Sequence, residues 1–274
     1  MKIFFTSLFL LVSACCFSQS HCGYCKDSCS DKSARTGQVA IVAHRGFWNT
    51  DATSFSENSI ASLHQAAING FWGCELDIHI TCNGKIIVNH DSEINGKKIS
   101  ECKYKDFSKN LLPNGEKRPL LDDYLSVASG YPLTKLVIEF KDAENGIVEK
   151  TMKLLKRYGM DSPKRTMFIS FNQKACMRVA ELYPEYTNQY LTGDLSPEEV
   201  HKMGINGIDY HYARFKEHPE WVGQAHKLGM SVNVWTVDNK EDMEEMIALG
   251  VDAITTNKPL LLRSILSELE LKLK

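Results

Sequence analysis

The stretch CELDIHITCNGKIIVNHD, residues 74–91, decides how the rest of the chain is read. Its first half alternates as a half-buried strand does. Because strand side chains repeat every two residues, Glu75 and Asp77 point to the same side. Asn83-Gly84 reads as a turn, and the apolar run Lys85–Val88 returns as a hairpin partner that ends at His90-Asp91. A strand that collects two acids on one face, with a histidine just past its partner, is built for chemistry at a strand end rather than for packing.

Outward from this strand, β-rich and helix-like segments alternate. VAIVAH (39–44) precedes the helical spacing of SIASLHQAAING (59–70), and Gly70 reads as a helix stop. KLVIEFK (135–141) precedes an amphipathic stretch at 146–159, and TMFISF (166–171) precedes KACMRVAELY. TNQYL (187–191) precedes a helix opened by Ser196 as cap and Pro197 in the first turn. GIDYHY (207–212), SVNVWTV (231–237) and DAITTN (252–257) are each followed by another helical pattern. About eight strand–helix units over this length predict a TIM (β/α)8 barrel, an α/β fold in one domain. Segment 92–126, rich in Lys, Asn and Ser, reads as a short insertion after the second-strand hairpin, an irregular lid or substrate wall.

The chain has 274 residues and a formal charge of −2, a globular composition that argues against nucleic acid as partner. Met1-Lys2 followed by the apolar run Ile3–Leu11 reads as an export signal, and residues 1–18 are assigned to it. Val12-Ser13-Ala14-Cys15 fits a lipoprotein signal in which Cys15 becomes the acylated N-terminus, and that anchor is the expected membrane contact. An ordinary secretory signal cut near Gln19 is the alternative. Both readings send the mature protein to the periplasm or cell envelope. Residues 19–37 form a linker with Cys22, Cys25 and Cys29, read as disulfide or idle thiols in an oxidising compartment, and the barrel takes 38–274. Cys74 and Cys176 read as buried small hydrophobes, while Cys82 and Cys102 could pair. Oligomeric state is not encoded in any feature of the sequence.

In a barrel of this kind reactive groups lie where strands end. His44-Arg45 ends the first strand, Glu75 and Asp77 lie late in the second, and Glu139 and Lys141 end the third. Phe171, Trp235 and Asn257 follow at later strand ends. Three carboxylates at one mouth repel unless a cation sits among them, and an all-oxygen set favours Ca2+ or Mg2+. A salt-bridge network through Arg45 and Lys141 is the competing reading. His44 and His90 titrate near neutrality and can serve as an acid/base pair. Together with Arg45 and Lys141 they suit a phosphate ester. His79 lies on the acid side by parity and reads as a supporting residue, and His211 is a weaker rim candidate.

The ordered motifs HRG (44–46), SENS (56–59), ELD (75–77), HD (90–91), EFK (139–141) and WTV (235–237) resemble the glycerophosphodiester phosphodiesterases over residues 39–262. The resemblance implies a TIM barrel that hydrolyses glycerophosphodiesters, small molecules, to glycerol phosphate and an alcohol. It also implies Glu75, Asp77 and Glu139 as ligands of Ca2+ or Mg2+, and His44 and His90 as catalytic acid and base. Arg45 and Lys141 then contact phosphate, Glu57 lies at the site edge, Asn58 braces the loop and first helix, and Phe171 and Trp235 shape the glycerol side. Departures from the family pattern are Ser56 for proline, Asn83 for aspartate, Ser92 for proline, and Thr255-Thr256-Asn257 for ITD, which removes one acid from the rim. Two alternatives share the scaffold: a phospholipase D-like lyase giving a cyclic phosphate, and a catalytically inactive surface binding protein.

Overall fold

The computed structural model describes residues 39–272. The readings made for the export signal, Cys15, Cys22, Cys25 and Cys29 lie outside the described residues. Within them the chain runs β1 (Ala40–Ala43), α1 (Ile60–Ile68), β2 (Gly73–Ile80), β3 (Ile86–Val88), β4 (Glu93–Ile94), β5 (Lys97–Lys98) and α2 (Leu121–Ala128). It continues β6 (Lys135–Phe140), α3 (Ile147–Arg157), β7 (Thr166–Ser170), α4 (Gln173–Leu182), β8 (Asn188–Tyr190) and α5 (Pro197–Lys202). The last part is β9 (Gly207–His211), α6 (Tyr212–Glu217), α7 (Glu220–Lys227), β10 (Ser231–Trp235), α8 (Lys240–Leu249), β11 (Ala253–Thr256) and α9 (Pro259–Lys272).

Strands β1, β2 and β6 to β11 pair in parallel in the order β1-β11-β10-β9-β8-β7-β6-β2. Pairing of Val42 with Gly73 and of Ala43 with Cys74 closes the ring, so the predicted (β/α)8 barrel is the observed fold. Alternation divides the side chains. Leu76, Ile78, Ile138 and Phe140 join the apolar layer beneath the helices, while Val42, Val137, Met167, Ile169, Leu191 and Ala253 form a separate interior cluster. Ser59 caps α1 and Ser196 caps α5 with Pro197 behind it, as their side chains predict. No helix among the described residues is long and apolar enough to cross a membrane.

The hairpin exists, but its connection differs from the two-residue turn that Asn83-Gly84 suggests. The Thr81 amide donates to the Lys85 carbonyl at 2.9 Å, so residues 82–84 form the loop. Only Gly84 there takes a positive φ, of 75°, which suits a three-residue loop closed by a left-handed glycine.

Segment 92–126 is more ordered than its composition suggests. It contains the β4–β5 hairpin, two 3-10 turns and the start of α2, and Ile94, Ile99 and Phe107 pack on Ile87 in a cluster of their own. Asn114 N–H donates to Ser56 Oγ (2.9 Å), and Glu116 accepts from the Ile60 and Ala61 amides at the start of α1 (2.8 and 3.1 Å). The segment therefore buttresses the loop before α1. None of its residues is among those lining the cavity described below, although Arg118 donates to Asn89 Oδ1 next to His90. Cys74 and Cys176 are buried as expected, and burial pushes both thiols up to about 12. Cys82 and Cys102 are free thiols whose backbones share a hydrogen bond of 3.0 Å.

Candidate active site

The C-terminal ends of β2 and β6 lie side by side, with Asp77 paired to Glu139. Paired residues of parallel strands face the same way, and parity adds Glu75. The three carboxylates offer oxygens that all lie within 4.8 Å of one another. All three residues are buried, at 2%, 1% and 7% exposure.

The turn after β1 is locked to this group. Arg45 takes a left-handed φ of 54°, strained for a non-glycine residue. That twist aims its backbone N–H at Glu75 Oε2, 2.7 Å away, while the Gly46 amide donates to the Glu75 carbonyl at 3.0 Å. Gly46 also adopts a positive φ, of 78°, and a Cβ there would lie 2.4 Å from Ser62 Oγ. Gly46→Ala is therefore expected to cost about 2 kcal/mol or more, combining the left-handed penalty with a forced shift of α1. A urea melt of the variant beside the wild type checks this. Unchanged stability would mean that the turn is not pinned against α1.

Charge balance around the acids is incomplete. Lys141 Nζ bridges Glu139 Oε1 (2.8 Å) and Asp77 Oδ1 (3.2 Å). The Arg45 guanidinium pairs with Glu57 at 2.8 Å and approaches Asp77 at 3.6 Å. The competing salt-bridge network is thus partly present, but it stops short of Glu75. Glu75 Oε1 is buried with no hydrogen-bond partner. Burial, then the Asp77 and Glu139 charges, hold Glu75 well above the ordinary carboxylate range. Burial and Asp77 likewise push Glu139 up to about 8. Asp77 goes the other way: burial opposes its charge, but Lys141, Asn58, His90 and Arg45 outweigh it and lower its pKa.

His44 and His90 flank the same cavity, which is lined also by Arg45, Glu75, Glu139, Lys141, Phe171 and Trp235 and measures about 180 Å3. His44 Nδ1 lies 2.9 Å from Asn257 Oδ1, and burial followed by the Arg45 charge lowers its pKa below 6.5. His90 Nδ1 lies 2.8 Å from Asp91 Oδ1. Phe171 and Trp235 meet edge to face, with centroids 5.3 Å apart. Glu57 reaches the site through Arg45 rather than by lining the cavity.

His79 bridges Asp142 (3.1 Å) and the His90 carbonyl (3.2 Å), which steadies the loop that carries His90. His211 accepts the Ala213 amide and packs on the edge of Trp235 without reaching the cavity. Asn58 does more than brace a loop: its Nδ2 donates to Asp77 Oδ2 at 2.8 Å, and its Oδ1 accepts the Asp77 amide at 3.2 Å. Asp209 was missed. It sits in the cavity lining, fully buried among barrel residues, and burial holds its carboxyl far above its usual range. Its place in the alternation of GIDYH pointed inward, but nothing in the sequence separated it from an outward acid.

The sequence model of the Glycerophosphoryl diester phosphodiesterase family matches residues 44–261. The glycerophosphodiester phosphodiesterase of Caldanaerobacter subterraneus subsp. tengcongensis is 30% identical over 239 residues, which cover 81% of this chain and 95% of the relative. A crystal structure of a glycerophosphodiester phosphodiesterase from Parabacteroides distasonis aligns with a TM-score of 0.81 at 40% identity, over 85% of this chain and 98% of that one. A phosphodiesterase from Oleispira antarctica, solved with sn-glycerol-3-phosphate, shares the fold with a TM-score of 0.72 at 22% identity, over 85% and 99% of the two chains. With its matched region beginning at His44 and spanning the whole barrel mouth, this chain belongs to the glycerophosphoryl diester phosphodiesterase family.

Proposed function

We propose that this chain hydrolyses glycerophosphodiesters to glycerol phosphate and an alcohol at the mouth of the barrel, with a divalent cation held by Glu75, Asp77 and Glu139. The observation that carries the proposal is the convergence of three buried carboxylates within 4.8 Å beside a cavity flanked by two histidines, an arginine and a lysine. The residues fit a cation. The donors are all oxygens, suited to Ca2+ or Mg2+, and Glu75 Oε1 is an orphaned buried acceptor that no side chain satisfies. When bound, such an ion would supply a positive charge for the phosphoryl oxygens.

The chain's own residues do the rest. Arg45 and Lys141 add positive charge beside the phosphate. Glu57 holds the Arg45 guanidinium, and Asn58 fixes Asp77 in its rotamer. His44 removes a proton from the attacking oxygen, and His90 gives one to the leaving alcohol. Phe171 and Trp235 form an apolar wall against the glycerol carbons.

The test is incubation with glycerophosphocholine, glycerophosphoethanolamine and glycerophosphoinositol, after chelation and with Ca2+ or Mg2+ restored, followed by phosphorus NMR. Glycerol phosphate is the expected product. A persistent cyclic phosphate would assign the chain to lyase chemistry, and no turnover of any substrate would leave only a binding protein.

The acids also predict how stability responds to pH. A carboxyl whose pKa rises on folding stabilises most below its unfolded value, and that contribution is lost as pH rises through the folded value. For Glu139 the window runs from 4.5 to about 8. Chelated protein is therefore expected to lose melting temperature across that window. Added Ca2+ or Mg2+ should restore more of it at pH 8 than at pH 5, because only ionised carboxylates bind the ion. An ion-induced rise in melting temperature that is the same at both pH values would contradict this account.

A further inference from the structure

The loop after β11 supplies a feature that the departure Asn257 did not foretell. Asn257 Oδ1 lies 2.9 Å from His44 Nδ1 and 3.0 Å from Trp48 Nε1. Its Nδ2 lies 2.8 Å from Asp238 Oδ2. Asp238 is fixed in turn, since its Oδ1 accepts the Asn257 amide N–H (2.8 Å) and the Thr256 hydroxyl (3.0 Å).

An asparagine amide is ordinarily ambiguous between its oxygen and nitrogen. Here two neighbours of opposite character resolve it. The Asp238 carboxylate only accepts, so the group facing it must be the NH2. The Trp48 indole only donates, so the group facing it must be the oxygen. The imidazole nitrogen opposite that oxygen must then carry the hydrogen.

We propose that Asn257 and Asp238 are positioning residues for His44: together they hold its proton on Nδ1 and leave Nε2 as the nitrogen with a free lone pair. The two histidines of the site then differ by construction. His44 Nδ1 faces a neutral amide, whereas His90 Nδ1 faces the Asp91 carboxylate. With its proton held on Nδ1, His44 presents Nε2 as a proton acceptor. The aspartate of the family pattern at position 257 would remove this difference. The roles of the two rings rest on the proposed function; the tautomer of His44 does not.

The groups around His44 are Arg45 on its own turn, Glu57 in the loop that follows, Asp77 on β2 and Asn257 after β11, with Asp238 one side chain behind and Glu75, His90, Glu139 and Lys141 lining the same cavity. Substitutions at Asn257 and Asp238 leave the first three in place.

The direct test is nitrogen NMR of protein labelled in histidine, with the His44 signals assigned by their loss in His44→Gln. Wild type is expected to show an unprotonated Nε2 and a protonated Nδ1 above the His44 pKa. Asn257→Leu and Asp238→Asn should give a mixture of tautomers. In kinetics, Asn257→Leu should lower kcat by about 10- to 100-fold with little change in KM, as loss of an orienting partner does. Asn257→Asp keeps the shape and adds charge, so it should raise the acidic limb of the kcat/KM profile by about one pH unit or more. A wild-type His44 protonated on Nε2 would overturn the proposal, as would an Asn257→Asp enzyme with the wild-type pH profile. If wild type turns over no glycerophosphodiester, the proposed function fails, and the NMR still decides the tautomer. Should Asn257→Leu not fold, the wild-type spectrum and Asn257→Asp carry the test.

Discussion

Glu75→Gln is expected to lower kcat/KM for a glycerophosphodiester by about 10³-fold or more while leaving the chelated protein at least as stable as wild type. The two halves of this result share one cause. Glu75 is buried beside two other acids, has one oxygen without a partner, and resists ionisation. An amide of the same shape removes the repulsion and still accepts the Arg45 backbone N–H through its oxygen. It does not provide the charge a cation needs. A group that weakens the empty protein yet sustains the reaction is the mark of a functional site rather than of a structural ion pair. Kinetics and thermal melts on the same preparation check both halves. A variant that loses stability but keeps activity would make Glu75 structural.

His44→Ala is expected to lower kcat by about 10²- to 10⁴-fold, the range typical for loss of a general base. The pH profile adds a second criterion. Burial and Arg45 lower the His44 pKa below 6.5, so the unprotonated ring persists into mildly acidic solution. The acidic limb of wild-type kcat/KM should therefore fall below pH 6.5, and the residual activity of His44→Ala should lack that limb. Profiles of the two proteins on one substrate decide it. An acidic limb of unchanged position in the alanine variant would assign it to another group.

Much of this was legible because the barrel is written in short-range signals. Alternating periods of two and 3.6 residues gave the strand–helix count, and parity within ELD and EFK placed three acids and a lysine on one side. The motif HRG is readable for a physical reason as well: only glycine fits at position 46, where α1 crosses the turn. What stayed hidden depends on contacts between residues far apart in the chain. Asn58 reaches Asp77 because its left-handed φ of 55° turns the loop inward, which no local pattern announces. In the sequence Asn257 reads as a lost acid, whereas in the fold its amide lies between His44, Trp48 and Asp238. Segment 92–126 looked irregular because its order comes from two-residue strands and side-chain bonds to the loop before α1, too short to leave a period.

Titration calorimetry of Ca2+ and of Mg2+ into chelator-treated protein, in parallel with Glu75→Gln, tests the central claim most directly. The account predicts saturable binding of a single ion per chain for at least one of the two metals, and no binding in the variant. Absence of binding for both metals, or equal binding by wild type and Glu75→Gln, would contradict it.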